Sequence, residues 1–286
     1  MDATPFARQA ERPSLTARAA AAYRAAHQSL DGGRVFHDPL AAAILGEEGP
    51  GAMELLGTSD FAGRLRRFIA ARTRLAKEAL HAAMEQGVTQ LVILGAGLDT
   101  YAYRGERRGQ LRAIFEVDHP ATQAWKRTRL ERAGIEVPAN VHFIATNFEE
   151  AQLAASLRAA GLDEDEGVFF TWLGVIPYLT RDAIDATLSW IASFPRARVV
   201  FDYAEPADTL DSSLREMQEH HARRVAAIGE EWRTFFEPAP LHAHLRELGF
   251  KAIHDLGPRG IAQLFYPHAA ARAPERGAHV LHAATA

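Results

Sequence analysis

The chain has 286 residues, enough for one large α/β domain with additions. Hydrophobic residues make up 48% and charged residues 24%, and the net charge of -4 gives no general attraction to nucleic acid or an anionic membrane. Without cysteine, the chain has no disulfide, thiolate nucleophile, iron–sulfur cluster or cysteine-ligated zinc, and no apolar run approaches the roughly 18 residues of a membrane span.

The first residues carry arginines but no continuous apolar region, so no secretory signal is expected, and a cytoplasmic location is. Residues 15–30 read as a helix with Thr16 near its start, stopped by "DGG" at 31–33. "FHDPLAAAILG" follows as a turn and short helix. Over residues 60–86, Leu65, Phe68, Ile69, Arg72, Leu75, Leu80 and Met84 recur at helical spacing until Gly87. Residues 1–86 therefore read as a helical N-terminal cap.

From residue 87 to 286 the pattern alternates. "QLVILGAG" is a buried strand, "RAIFEVDHP" a second with Pro120 opening a helix, and "NVHFIATNF" a third. Residues 149–160 are helical up to Gly161, and "GVFFTWLGV" is a fourth strand. "RDAIDATLSWIASF" is a helix and "RARVVFDYAEP" a fifth strand. Residues 206–236 carry one or two inserted lid helices, and "LHAHLRELGF" another helix. "KAIHDLG" and "HVLHAAT" are two last strands, an antiparallel pair around a long loop. Alternation of this kind predicts a doubly wound, mostly parallel seven-stranded sheet in one structural unit.

Ligands of such sheets bind beyond the carboxyl ends of the strands, where glycines let the backbone approach closely. Gly95 and Gly97 end the first strand. Asp118 ends the second, about 20 residues on, where an acid grips ribose hydroxyls. A dinucleotide fingerprint needs a third glycine, but Thr100 stands there, and Asp99 sits where a pyrophosphate would bind. An acid suits an ammonium group better. S-adenosylmethionine offers ribose, ammonium and sulfonium without phosphate, so the charge pattern favours it over NAD. Asp99 could equally cap the next turn.

"LVILGAGLDTYAYR", "FEVDHPATQAWKR", "ATNFEE" and "FFTWLGVIPYLT" resemble the leucine carboxyl methyltransferase family, above all its bacterial branch of S-adenosylmethionine-dependent O-methyltransferases. "TARAAAAYRAAH", "FHDPLA" and "RFIAARTRLAKE" fit the same pattern, and the match runs over about residues 15–285. The resemblance implies the Rossmann-like class I methyltransferase fold and S-adenosyl-L-methionine as cofactor, with S-adenosyl-L-homocysteine as product. It implies Arg72 on the cofactor carboxylate, Gly95 and Gly97 along the methionine portion, Asp118 on the ribose, and Asn147 and Phe148 at the adenine. Arg18 matches a cofactor-contacting lysine. Ala96, His119, Thr171 and Trp172 are counted with the cofactor set, Trp172 as adenine-side or core packing. Leu173 replaces a glutamate of the eukaryotic members, which points away from a protein phosphatase and toward a small organic acceptor.

Arg72, on an apolar helical face, could instead pair with an acid of the fold. Glu116 reads as structural. Tyr178, in the loop after the fourth strand, is the candidate for acceptor contact and catalysis. A carboxylate acceptor needs no base, whereas a hydroxyl would draw on Tyr178, Glu205 or His220 and His221 of the lid. The thirteen histidines form no metal site by spacing. The expected partner is a small-molecule methyl acceptor, without nucleic acid or membrane, and the expected state a monomer or homodimer. An NAD(P)-linked oxidoreductase and a non-catalytic cofactor-binding protein are the rival readings.

Overall fold

The computed structural model describes residues 13–46, 60–104, 107–146 and 152–286. Helices α1 (Leu15–Leu30), α2 (Ala41–Leu45) and α3 (Asp60–Glu85) precede the sheet. Strand β1 (Gln90–Leu94) leads through a short α4 (Tyr101–Arg104) to β2 (Ala113–Asp118), α5 (Pro120–Arg132) and β3 (Val141–Ala145). Then come α6 (Leu153–Ala159), β4 (Val168–Trp172), α7 (Arg181–Ala192) and β5 (Ala197–Ala204). The chain ends through α8 (Ser212–Ala227), α9 (Pro238–Glu247), β6 (Ala252–Leu256), α10 (Pro258–Phe265) and β7 (Ala278–Ala284).

The seven strands lie in the order β3-β2-β1-β4-β5-β7-β6. The first five pair in parallel, while β7 runs antiparallel between β5 and β6. The expected mostly parallel, doubly wound sheet is what forms. Strand alternation sends neighbouring residues to opposite faces. Leu91 and Ile93 of β1 join the core under α1, α2 and α3, while Val92 and Leu94 join the core under α7 and α9. Burial on both faces explains why these strands are unbroken runs of Val, Ile, Leu and Phe.

Helix ends follow local chemistry. Ser14, not Thr16, caps α1 by accepting from the Ala17 N–H at 3.0 Å. Thr180 caps α7 and Asp211 caps α8 in the same manner, and proline opens α5, α9 and α10. The lid region holds a single α-helix, α8, followed by residues 230–237 without regular structure. The long loop between the last two strands contains α10, which the sequence did not announce. "PRGIAQLF" has a glycine in its middle and is only eight residues long, too short for helical periodicity to stand out.

Candidate functional site

The switch point of the sheet lies between β1 and β4, where the strand order reverses. At the end of β1 the Gly95 and Ala96 N–H groups both donate to the Val117 carbonyl at 2.9 Å, binding the turn to β2. Gly95 and Gly97 have φ values of +68° and +42°, in the left-handed region that favours glycine. A Cβ on Gly95 would stand 2.3 Å from Val175 Cγ2, and one on Gly97 would stand 3.0 Å from Ala17 Cβ of α1. The turn is therefore walled by the loop after β4 and by the first turn of α1.

Asp118 closes this turn from β2. One of its oxygens accepts the Gly97 N–H, and the other accepts the His119 N–H at 2.7 Å. Each oxygen keeps acceptor capacity for a ligand hydroxyl. Burial pushes the Asp118 carboxyl up, against the pull of those two N–H donors and of Lys126. His119 is spent locally: it is the N-cap of α5, and its Nδ1 accepts from the Ala121 N–H at 3.3 Å.

Asp99 takes the capping role. Its Oδ1 accepts the Tyr101 N–H at 2.7 Å, at the start of α4. Thr100 is wholly buried and donates to Asp38 at 2.8 Å, in a cluster that also holds Arg24 and Arg104. The position where a dinucleotide fold needs its third glycine is thus a structural anchor. The two tyrosines of the turn are also accounted for: Tyr101 reaches Met84 of α3, and Tyr103 donates to Glu116 at 2.8 Å.

Arg72 points from α3 toward the same end of the sheet. Its Nη1 donates to Asp202 of β5 at 2.7 Å, and Asp202 also accepts the Gly174 N–H at 2.6 Å. The arginine is therefore paired with an acid of the fold, the alternative reading of this position. Its buried Nε meets no partner among the described residues, which leaves one donor for a ligand. Arg18 lies one residue beyond Ala17 on α1. Thr171 lines a void of about 30 Å³ with Asp99, Thr73 and Leu173, room for one water and not for a nucleoside.

Trp172 belongs to the core. It is fully buried on the face that carries α7 and α9, so the core half of its reading holds. Asn147 and Phe148 lie outside the described residues.

Tyr178 sits in the 3-10 turn Ile176–Tyr178, facing Thr16 of α1 and Trp232 of the lid loop, and burial pushes its phenol up. Around it the lid docks onto α1. Glu230 accepts the Leu15 N–H at 2.7 Å, the Thr16 N–H at 3.2 Å and the hydroxyls of Ser14 and Thr16. A carboxylate at a helix N-terminus meets two otherwise orphaned N–H donors, here with two hydroxyls beside them, and the positive end of the helix dipole. No signal in the sequence points to Glu230, because its partners are more than two hundred positions away.

The other lid candidates divide. His221 packs between Phe61 and Trp232, with ring centroids 5.0 and 5.2 Å away, and burial pushes it down to about 4. His220 is exposed. Glu205 is buried. It accepts the Gly277 N–H at 2.9 Å and lies 3.1 Å from His279 and 3.3 Å from Arg276, so it staples the sheet edge and is not a free base. Among the described residues no cluster of acids and histidines could hold a metal ion, and no helix is long and apolar enough to cross a membrane.

The residues present suit the adenosyl cofactor the sequence points to. Two glycines in the left-handed region form the turn beneath Val175 and Ala17, Asp118 offers open acceptors for a diol, and the Arg72 Nε offers a donor for a carboxylate.

Known proteins resemble this chain in sequence and in fold. The model of the leucine carboxyl methyltransferase family matches residues 17–192. A protein of Bacillus subtilis, named a putative S-adenosyl-L-methionine-dependent methyltransferase, is 32% identical over 198 residues, covering 68% of this chain and 65% of its own length. A Mycobacterium ulcerans protein of the same designation is 32% identical over 205 residues, covering 67% and 65%. The chain thus spans 65% of the length of these relatives. Among solved structures, a DUF574 family protein of Streptomyces avermitilis superposes with a TM-score of 0.61 at 14% identity, covering 96% of this chain and 98% of that one. A putative methyltransferase of Thermobifida fusca gives 0.58 at 14% identity, covering 98% of each. At that identity they speak for the fold alone, the class I methyltransferase sheet. The family match spans more than half of the chain, and the chain belongs to the leucine carboxyl methyltransferase family.

Proposed function

We infer that the chain is an S-adenosylmethionine-dependent methyltransferase acting on an oxygen, carboxylate or hydroxyl, of a small organic acceptor. The observation that carries this reading is the pairing of the glycine turn with Asp118 at the switch point of the sheet. Thr100, locked onto Asp38, speaks against a pyrophosphate at the same turn and hence against an NAD(P)-linked oxidoreductase.

Asp118 would hold the ribose hydroxyls, Gly95 and Gly97 would lie along the methionine portion, and the Arg72 Nε would reach its carboxylate. When bound, the cofactor supplies a methyl group already activated on a sulfonium. The protein then needs to provide proximity, orientation and exclusion of water. Tyr178, Thr16 and Trp232 form a polar wall where the lid meets α1, and Phe61 and His221 form an aromatic one beside it. These two walls fit a small acceptor with an apolar body and an oxygen at one end. His221, kept neutral by burial, is better suited to pack against the acceptor than to take a proton from it. Nothing in this arrangement calls for nucleic acid or membrane, and the proposal is of a cytoplasmic monomer or homodimer.

Calorimetric titration with S-adenosylhomocysteine and with NAD tests the reading. Binding of the first and not the second is expected, and the reverse would overturn it. Transfer of tritiated methyl to a small-metabolite extract, followed by mild alkali, sorts the acceptor. A methyl ester releases its label as methanol, and a methyl ether keeps it.

A further inference from the structure

Beneath the glycine turn lies a buried charge cluster that the cofactor-contact residues do not include. Lys126 of α5 is 1% exposed, and its Nζ stands 2.7 Å from Glu116 Oε2 and 3.5 Å from the Ala96 carbonyl. The Tyr103 hydroxyl donates to the same Glu116 oxygen at 2.8 Å, and the Lys126 ammonium lies 5.4 Å from the centre of the Tyr103 ring. The Gln123 amide holds the Glu116 carbonyl at 3.3 Å. Glu116 Oε1 has no partner among the described residues.

A buried ion pair is expensive to form and contributes little net stability compared with an apolar pair of the same volume. Its presence at this place asks for another reason. Glu116 and Asp118 alternate on β2 and point to the same face, so the pair is aligned with the site. The ammonium meets the Ala96 carbonyl of the turn, and Glu116 meets the Tyr103 hydroxyl. His119 flanks Asp118 on its other side. The pair is thus a fixed dipole, positive toward the turn.

We propose that Lys126 is a positioning residue of the cofactor site: anchored by Glu116 and Tyr103, its ammonium holds the Ala96 carbonyl and so fixes the turn whose Gly97 N–H orients Asp118 for the ribose. Burial raises the Asp118 carboxyl, the Gly97 and His119 N–H donors and then Lys126 pull it down, and removing the ammonium would shift it further up. A protonated carboxyl loses charge-assisted acceptance and competes with the Gly97 N–H for geometry. The proposal rests on Asp118 as the ribose acid, and its test separates the two.

The single Lys126→Met variant strands a buried carboxylate and costs stability for that reason alone. The informative variant is therefore K126M/E116Q, which removes both charges at nearly constant volume. Affinity for S-adenosylhomocysteine is measured by calorimetry from pH 5 to 8.5 on K126M/E116Q, on Asp118→Asn and on the unaltered protein, with melting temperatures alongside. The double variant is expected to melt close to the unaltered protein, to bind about tenfold more weakly at neutral pH, and to lose binding on acidification about one pH unit earlier. A purely structural pair would leave that acid limb where it was. Unaltered affinity and an unmoved acid limb in a folded double variant would overturn the role of Lys126 while leaving Asp118 in place. Unaltered affinity in Asp118→Asn would overturn both.

Discussion

Two buried clusters of charge sit on this sheet, and they are built to different ends. One surrounds the glycine turn and contains Asp118, Glu116, Lys126 and, across the switch point, Arg72. The other lies at the antiparallel edge and links His242, Asp255, Tyr203, His279 and Glu205. In the second, every carboxylate oxygen is spent inside the protein. Asp255 Oδ2 meets the Tyr203 hydroxyl at 2.6 Å and His242 at 2.7 Å, and Oδ1 meets His279 at 3.0 Å. Glu205 meets Gly277, His279 and Arg276. In the first cluster the bookkeeping does not close: among the described residues Arg72 Nε and Glu116 Oε1 stand without partners. Carboxylate oxygens that all find partners within the chain mark a staple that holds β5, β6 and β7 together. Open valences mark a place prepared for something that is not part of the chain.

The comparison can be broken by mutation. The largest effect is expected from Asp255→Ala, which strands His279, His242 and Tyr203 at once. Loss of about 3–5 kcal/mol in urea unfolding is the scale for one partner of a buried charged network. Cofactor affinity of the remaining folded protein should not change, and a change would show that the edge cluster also serves the site. Asp118→Asn should act mainly on binding: its amide keeps one acceptor for the Gly97 or His119 N–H and turns an NH2 against the other, so the melting temperature should fall modestly. It should weaken S-adenosylhomocysteine binding by about 1.5–3 kcal/mol, the scale of hydrogen bonds to a charged group, as read by calorimetry.

Glu230→Ala removes the acceptor at the start of α1 and should cost about 0.5–2 kcal/mol, as loss of a helix cap does. Limited proteolysis within residues 228–237 should quicken with it. An unchanged cleavage pattern would mean that the lid is held by other contacts.

The smallest effect is a pH slope. Burial lowers His279, but the carboxylates of Asp255 and Glu205 outweigh it and hold the imidazole above its ordinary 6.5. Its contribution is fully present below about pH 6.5 and is lost as pH rises through the raised folded value. Burial opposes ionisation of Asp255, yet bonds from His279, Tyr203 and His242 bring its carboxyl below 3.8. That contribution is present above about pH 3.8 and is lost as pH falls through the lowered value. The edge cluster is therefore strongest between these limits. His279→Asn should flatten the alkaline fall in melting temperature, and an unaltered slope would assign that fall to other groups.

Much of the fold was legible because its signals are local. The run "LVIL" ends in two glycines, "FEVD" ends in an acid, and the spacing between them is set by one strand–helix–strand unit. What stayed hidden depends on contacts between distant residues. Arg72 was legible as odd, a guanidinium on an apolar face, but its partner Asp202 lies on another strand far along the chain. Glu116 was legible as structural, but not that Lys126, on the helix after it, would complete a pair aimed at the turn. Glu205 follows a strand at a place where a base would be useful, and only the return of residues 277 and 279 shows that it is consumed. Glu230 gave no sign at all, since a lone acid in an irregular segment becomes informative only when the helix it caps is brought to it.

The position of β7 between β5 and β6 has a consequence for how the molecule comes together. Among the described residues, 198–204 find their antiparallel neighbours only in 278–284, and β6 pairs with β7 alone. While the polypeptide is being synthesised, β5 presents an open ladder of N–H and C=O groups along Val199, Phe201 and Tyr203 until nearly all of the described chain has been made. Pairings so distant in sequence are slow, and a bare apolar edge is the surface through which one nascent chain captures another. The same late strand carries His279 to Glu205 and Asp255, so the staple locks only when the edge is covered.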